Sequence, residues 1–268
     1  MRRGKFEYCS FERGLSTFDL KILGITLMVI DHIHQMFYPF GAPDWLDWFG
    51  RPVATLFFFI SVVGFSHTHD KKKYLQRLYL SMVLMALFTY FLGNIVHYDE
   101  VVLMNNIFRD LFIGTVMMYA IDLFTEGKNT GSWKKIVTSI FLFILPILLS
   151  LFIPLLFSSP VILQNKVVFM LITSFLPALL LAENNFMVLL IPLLYLARNH
   201  RNIQCVIISI VAGIFFFLGT TQWIMIFSLI PILLYNGQKG KGMKYLFYIF
   251  YPAHIALLYL LSAFLYKY

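Results

Sequence analysis

The chain has 268 residues, of which 60% are hydrophobic and 13% charged, against about 45 to 50% and about 25% in soluble chains. That excludes an ordinary soluble domain, and at about 20 residues per crossing it supplies material for around eight membrane spans. The excess of 21 Lys and Arg over 13 Asp and Glu, a net charge of +8, then serves to orient a membrane protein, and no nucleic-acid partner is expected.

In chain order, residues 1–17 read as a basic cytoplasmic tail lacking the short apolar region and small-residue cleavage site of a signal peptide. Apolar runs predict helices over 22–40, 52–68, 75–96, 107–125, 136–157, 203–218, 222–235 and 245–266. The stretch 167–197 holds Pro177, Glu183-Asn184-Asn185 and Pro192, and predicts two short helices or one broken crossing. Charge arbitrates. With the N-terminus inside and one net crossing there, inside segments hold five basic residues up to Lys21, Lys71 to Lys73 with Arg77, Lys128 with Lys134 and Lys135, Arg198 with Arg201, and Lys239 with Lys241 and Lys244. That is 17 of 21, leaving Arg51, Lys166 and Lys267 outside and Arg109 near a helix start, as the positive-inside rule requires. The expected fold is all-α: a polytopic integral membrane helical bundle of about nine (eight to ten) transmembrane helices with one broken region at 167–197. It is expected to be a single domain over 1–268, multi-pass in the cell membrane and partnered by the lipid bilayer, with the N-terminus cytoplasmic and the C-terminus extracytoplasmic. Cys9 and Cys205 are too few and too far apart for a disulfide framework and read as free thiols.

An ionisable side chain in hydrocarbon costs about 2.5 to 3.5 kcal/mol on insertion scales, so each needs a partner, a water cavity or a function. Lys21 and His32 are eleven residues apart, which places them within about 20° of one helix face, with His32 about 16 Å deeper. His254 follows Lys244 by ten residues and reaches about 15 Å on the same count. Glu183 lies deep in the broken stretch, so the three titratable groups suggest a buried polar chamber. Asp31 is about 100° from His32 and shares a face with His34 and Gln35, so it does not orient His32 within the helix. Arg109 and Asp110 open a helix and are expected in the interface, snorkelling outward. His67 and His69, followed by Lys71, Lys72, Lys73 and Arg77, read either as an anchor on anionic lipid or as a cradle for a phosphorylated donor. The His-x-His pairs diverge by about 200° on a helix, so no metal is expected. His32 and His254 on facing helices also admit a haem reading.

Three stretches carry a resemblance: FDLKILGITLMVIDHIHQMF from Phe18, FGRPVATLFFFISVVGFSHTHDKKKYLQRL from Phe49 to Leu78, and YNGQKGKGMKYLFYIFYPAHIALLYL from Tyr235 to Leu260. Together they resemble the TraX family, membrane proteins named for acetylation of conjugative pilin, over most of the chain. Lys21-x10-His32 also resembles the Arg/Lys-x10-His pattern of the broader transmembrane acyltransferases, in which the histidine at the position of His32 is the presumed catalytic residue. Where the TraX pattern has a Glu-Gly pair, this chain has Glu183 followed by Asn184.

The resemblance implies an integral membrane acyltransferase. It would move acetyl from cytoplasmic acetyl-CoA, the acyl donor, to a membrane or extracytoplasmic acceptor, a peptide amine or a sugar hydroxyl. The expected catalytic set is His32 as general base with His254, Asp31 and Glu183. Lys21, His67, Lys71, Lys72, Lys73 and Arg77 are expected on the donor, and Arg51 on the acceptor. The alternative is a proton-coupled secondary transporter using buried Asp31, His32 and Glu183.

Overall fold

The structure, a computed structural model, describes residues 14–242 and 244–267; most of the expected tail at 1–17 lies outside them. Its elements are α1 (Thr17–Phe37), 3-10 turns at Tyr38–Phe40 and Asp44–Phe49, α2 (Arg51–Ser66), α3 (Lys71–Val96), α4 (Ile107–Thr130) and α5 (Trp133–Phe157). Then come α6 (Pro160–Gln164), α7 (Lys166–Phe175), 3-10 turns at Leu179–Leu181 and Asn185–Leu189, and α8 (Leu190–Leu196). The chain ends with α9 (Arg201–Phe217), a 3-10 helix at Thr221–Ser228, α10 (Leu229–Leu233) and α11 (Lys244–Lys267). The fold is all-α; the sheet-like pairing among the described residues is an isolated parallel bridge, Leu15 to Tyr235. Among the described residues five helices are long and apolar enough to cross a membrane: Thr17–Phe40, Asp44–Ser66, Lys71–Val96, Trp133–Phe157 and Leu246–Lys267. This is a membrane protein with several apolar helices.

Prolines account for most departures from continuous helix. Leu176 precedes Pro177 and is extended, with ψ 116°, because the ring behind it disfavours the α region; α7 therefore stops at Phe175. Pro192 falls in the first turn of α8, where its missing N–H leaves no bond unmade. The predicted helix over 222–235 is instead the 3-10 helix followed by the five residues of α10. Pro231 cannot donate to Phe227, and the chain before it winds more tightly.

The chain forms two compact units, Met1–Val63 with Val96–Val102 and Leu196–Tyr268, and Gly64–Ile95 with Leu103–Tyr195. In the first unit Ser16 caps α1, accepting from the Asp19 N–H while Asp19 accepts back from Ser16. The buried residues of α1 are Leu20, Gly24, Met28, His32 and Met36, a strict i, i+4 stripe down one face. α2 packs antiparallel to α1, with Phe57 against Gly24 and Gly50 against Asp31. A Cβ on Gly50 would overlap the Asp31 carboxyl, so this close approach requires glycine. α11 runs parallel to α1: Lys21 Nζ sits 4.7 Å over the Phe247 ring, His32 meets His254, and Ser262 Oγ donates to the Met36 carbonyl at 2.5 Å.

In the second unit α4 and α5 form a hairpin turned at Gly131, whose φ of 66° is left-handed. Gly114 leaves room for Ile191 of α8, whose side chain would collide with a Cβ there.

Candidate functional site

The α1 stripe that closes the helix against α11 contains one ionisable residue, His32, 3% exposed. Its Nδ1 lies 2.7 Å from Nε2 of His254, with the two rings stacked 9° from parallel. On the other side His254 stacks on Phe250 at 4.9 Å between centroids, and buried Tyr251 tilts against both imidazoles.

Hydrogen-bond logic assigns the protons in this chain. His254 Nδ1 is 2.8 Å from the Phe250 carbonyl, and a carbonyl only accepts, so Nδ1 carries the hydrogen. In the neutral ring Nε2 then holds the lone pair and accepts from His32 Nδ1–H. Neutral His32 is left with its lone pair on Nε2. The order carbonyl, imidazole, imidazole follows the logic of an oriented general base, in which a second group fixes the tautomer of the first. Nitrogens 2.7 Å apart leave no room for iron between them, since metal–imidazole bonds of about 2 Å on each side need about 4 Å; the haem reading is dropped.

Beyond the pair, toward the C-terminal end of α1, Tyr98 shares a 3.1 Å hydrogen bond with Ser262, and Tyr259 donates to the Tyr98 carbonyl at 3.0 Å. Arg51 binds Asp47 through Nε at 3.1 Å and through Nη2, and Gln222 through Nη1 at 3.4 Å. Asp31 lies against Gly50, within electrostatic reach of Asp47 and Arg51.

The remaining sequence candidates belong to the second unit. Glu183 accepts from the Asn106 N–H at 2.8 Å. Arg109 and Asp110 correct the expectation of outward snorkelling: they are 6% and 0% exposed. Asp110 accepts from the Glu183 and Asn184 N–H groups at 2.9 Å each and from Asn184 Nδ2 at 2.7 Å. Arg109 donates to the carbonyls of Leu181 and Thr173. Broken backbone in apolar surroundings must find partners, and this adjacent pair supplies an acceptor for its amides and a donor for its carbonyls. Lys71 pairs with Asp122, which also accepts from Tyr195 Oη at 2.7 Å. Lys73 pairs with Asp70 at 3.2 Å, and the Lys73 N–H holds the Asp70 carboxyl below its ordinary range. Lys72 is exposed and Arg77 lies over the Tyr74 ring. His67 follows the end of α2, one residue beyond Ser66.

A family model described as TraX protein matches residues 16–262. The chain belongs to the TraX family. No curated protein and no solved structure matches it. The match takes in both histidines of the pair and every helix described above except the last residues of α11. Two features of this TraX-family chain escaped sequence reasoning. The Phe250 carbonyl that fixes the His254 tautomer is backbone and has no residue signature. The Asp122–Tyr195 partnership spans 73 residues and follows no motif spacing.

Proposed function

We propose that the protein is an integral membrane acyltransferase that takes acetyl from cytoplasmic acetyl-CoA and places it on an amine or hydroxyl of a membrane or extracytoplasmic acceptor. The observation that carries this reading is the buried His32–His254 pair, a base with an orienting group behind it on the central stripe of α1. A thioester is already activated, so the protein's task is a positioned base and exclusion of water. His32 Nε2 removes the acceptor's proton as the acceptor oxygen or nitrogen attacks the thioester carbonyl. The tetrahedral intermediate collapses, the carbon–sulfur bond breaks, and the leaving sulfur takes the proton from His32, which returns to the neutral base. Free thiol and acetylated acceptor balance the reaction. His254 holds the His32 tautomer, and Arg51, braced by Asp47, orients the acceptor at the far end of the unit.

The topology proposed with it is nine net crossings, N-terminus cytoplasmic and C-terminus extracytoplasmic. Parallel packing of α1 and α11 supports an odd number, because two parallel spans begin on the same side. The five long spans, α4, the broken stretch, α9 and the 3-10 helix with α10 make nine.

The test is acetyl transfer from labelled acetyl-CoA by purified protein in bilayers, wild type against His32→Ala. The variant is expected to bind the donor as wild type does and to lose transfer by about 10²-fold or more. Unchanged transfer removes His32 from the reaction, and counterflow of labelled solute in proteoliposomes without acetyl-CoA consumption selects the transporter.

A further inference from the structure

The loop that leads into α11 reads Asn236-Gly-Gln-Lys-Gly-Lys-Gly242, and no step above uses it. It is tied to the start of α1 by backbone pairing: Leu15 N–H to the Leu234 carbonyl at 2.8 Å, Asn236 N–H to the Leu15 carbonyl at 2.9 Å, and Thr17 N–H to the Gln238 carbonyl at 2.8 Å. Gly237 and Gly240 have φ of 80° and 67°. A Cβ on Gly240 would overlap Ser16 Oγ, so the loop lies flat on the α1 cap, in a conformation that glycine alone adopts freely.

This geometry gathers cations. Lys239 and Lys241 are exposed, Lys239 is within electrostatic reach of Lys21, and Lys241 of Asp19. Asp19 is occupied by the Ser16 N–H and hydroxyl, and none of the three lysines forms an ion pair among the described residues. Lys21 is fixed in direction over the Phe247 ring. The N–H groups of residues 239–242 donate to no described residue. Three ammonium groups around the start of α1, beside backbone N–H groups without a partner among the described residues, are complementary to a phosphate ester.

We propose that this loop, Lys239 and Lys241 with Lys21, is the subsite for the diphosphate of the acyl donor. Length selects the donor over a lipid headgroup. From the diphosphate oxygen to the sulfur of a coenzyme A thioester is twelve bonds, the reach of about four extended residues or about 14 Å. Lys21 precedes His32 on the same face by eleven residues, a rise of about 16 Å. A diphosphate held at Lys21, the deepest of the three cations, therefore brings an extended thioester to within about 2 Å of the depth of the imidazole. Lys71 and Lys73, already paired with Asp122 and Asp70, are less available for that role. The assignment rests on the acyl-transfer reading.

The experiment measures binding of 5′-ADP, which carries the donor's diphosphate, acetyl-CoA and acetyl-pantetheine, which lacks it, to protein in nanodiscs of phosphatidylcholine, for wild type, Lys239→Gln/Lys241→Gln and Lys72→Gln/Lys73→Gln. The loop variant is expected to weaken 5′-ADP and acetyl-CoA about tenfold or more, with acetyl-pantetheine unchanged and the α3 variant near wild type. Wild-type nucleotide affinity in the loop variant overturns the subsite. So does a loop variant that loses only its preference for phosphatidylglycerol nanodiscs, which assigns the cations to lipid. Loop-dependent 5′-ADP binding in a protein that transfers no acetyl keeps the subsite and removes the acyltransferase.

Discussion

At the scale of the residue, His32 and His254 differ in role despite sharing one hydrogen bond. In the proposed reaction His32 carries the basic nitrogen; His254 is held by the Phe250 carbonyl at 2.8 Å and offers His32 an acceptor. A positioning role has a specific signature. In His254→Gln the side-chain oxygen falls near the place of Nε2, accepts from His32 Nδ1–H and cannot itself carry a proton, so transfer is expected within about tenfold of wild type. His254→Phe keeps the packing against Phe250 but removes the acceptor, and transfer is expected to fall about 10²-fold, the usual worth of a correctly held base. Nitrogen NMR of labelled histidine checks the same point without activity: His32 Nε2 is expected unprotonated in wild type and His254→Gln. Equal loss in both variants assigns His254 to proton transfer itself. The depth arithmetic that brings His32 level with His254 was available in the sequence, because helical rise is regular. The tautomer was not, since it depends on a main-chain oxygen.

Elements show where periodicity stops being informative. Long apolar runs such as 75–96 and 136–157 became α3 and α5 with ends shifted by a few residues, because hydrophobic pattern and helix propensity agree there. The run 222–235 kept its place but not its helix type. Eight 3-10 residues at about 2.0 Å and five α residues at about 1.5 Å still cover about 23 Å, most of the hydrocarbon thickness. In the broken stretch, sequence signals placed a break within 167–197 but showed neither its exact position nor what satisfies it. Asp110 does so from α4, accepting three hydrogen bonds from residues 183 and 184. Asp110→Ala leaves those part-buried donors unmet at about 1 kcal/mol each, so a loss of about 3 kcal/mol is expected. It should be read as earlier thermal unfolding and as new protease cutting between residues 173 and 186. A variant as stable as wild type would mean that the break is held by packing alone.

At the scale of the molecule, the proposed orientation rests on how the first unit is sorted along its own helices. One end gathers the start of α1, the loop at 236–242 and the start of α11, with Lys21, Lys239 and Lys241. The other gathers the turns after α1, the Tyr98 loop and the end of α11, where Asp44, Asp47 and Glu100 reside and Tyr266 binds Glu100 at 2.7 Å. Cations accumulate on the cytoplasmic face because moving them outward opposes insertion, whereas acidic residues exert little pull either way. The proposed orientation takes the lysine-rich end as the inner one, and the parallel run of α1 and α11, if both cross fully, puts the termini on opposite sides however many short helices cross between them. A protease-cleavable epitope placed after Tyr268 is expected to be cut from outside intact cells, and the same epitope placed before Met1 to be cut only after permeabilisation. Both epitopes on one side would mean an even number of crossings, and the direct pairing of α1 with α11 would then be impossible for two full spans. The His32–His254 pair would lose its place at a common depth, and with it the route from an inner donor to an outer acceptor.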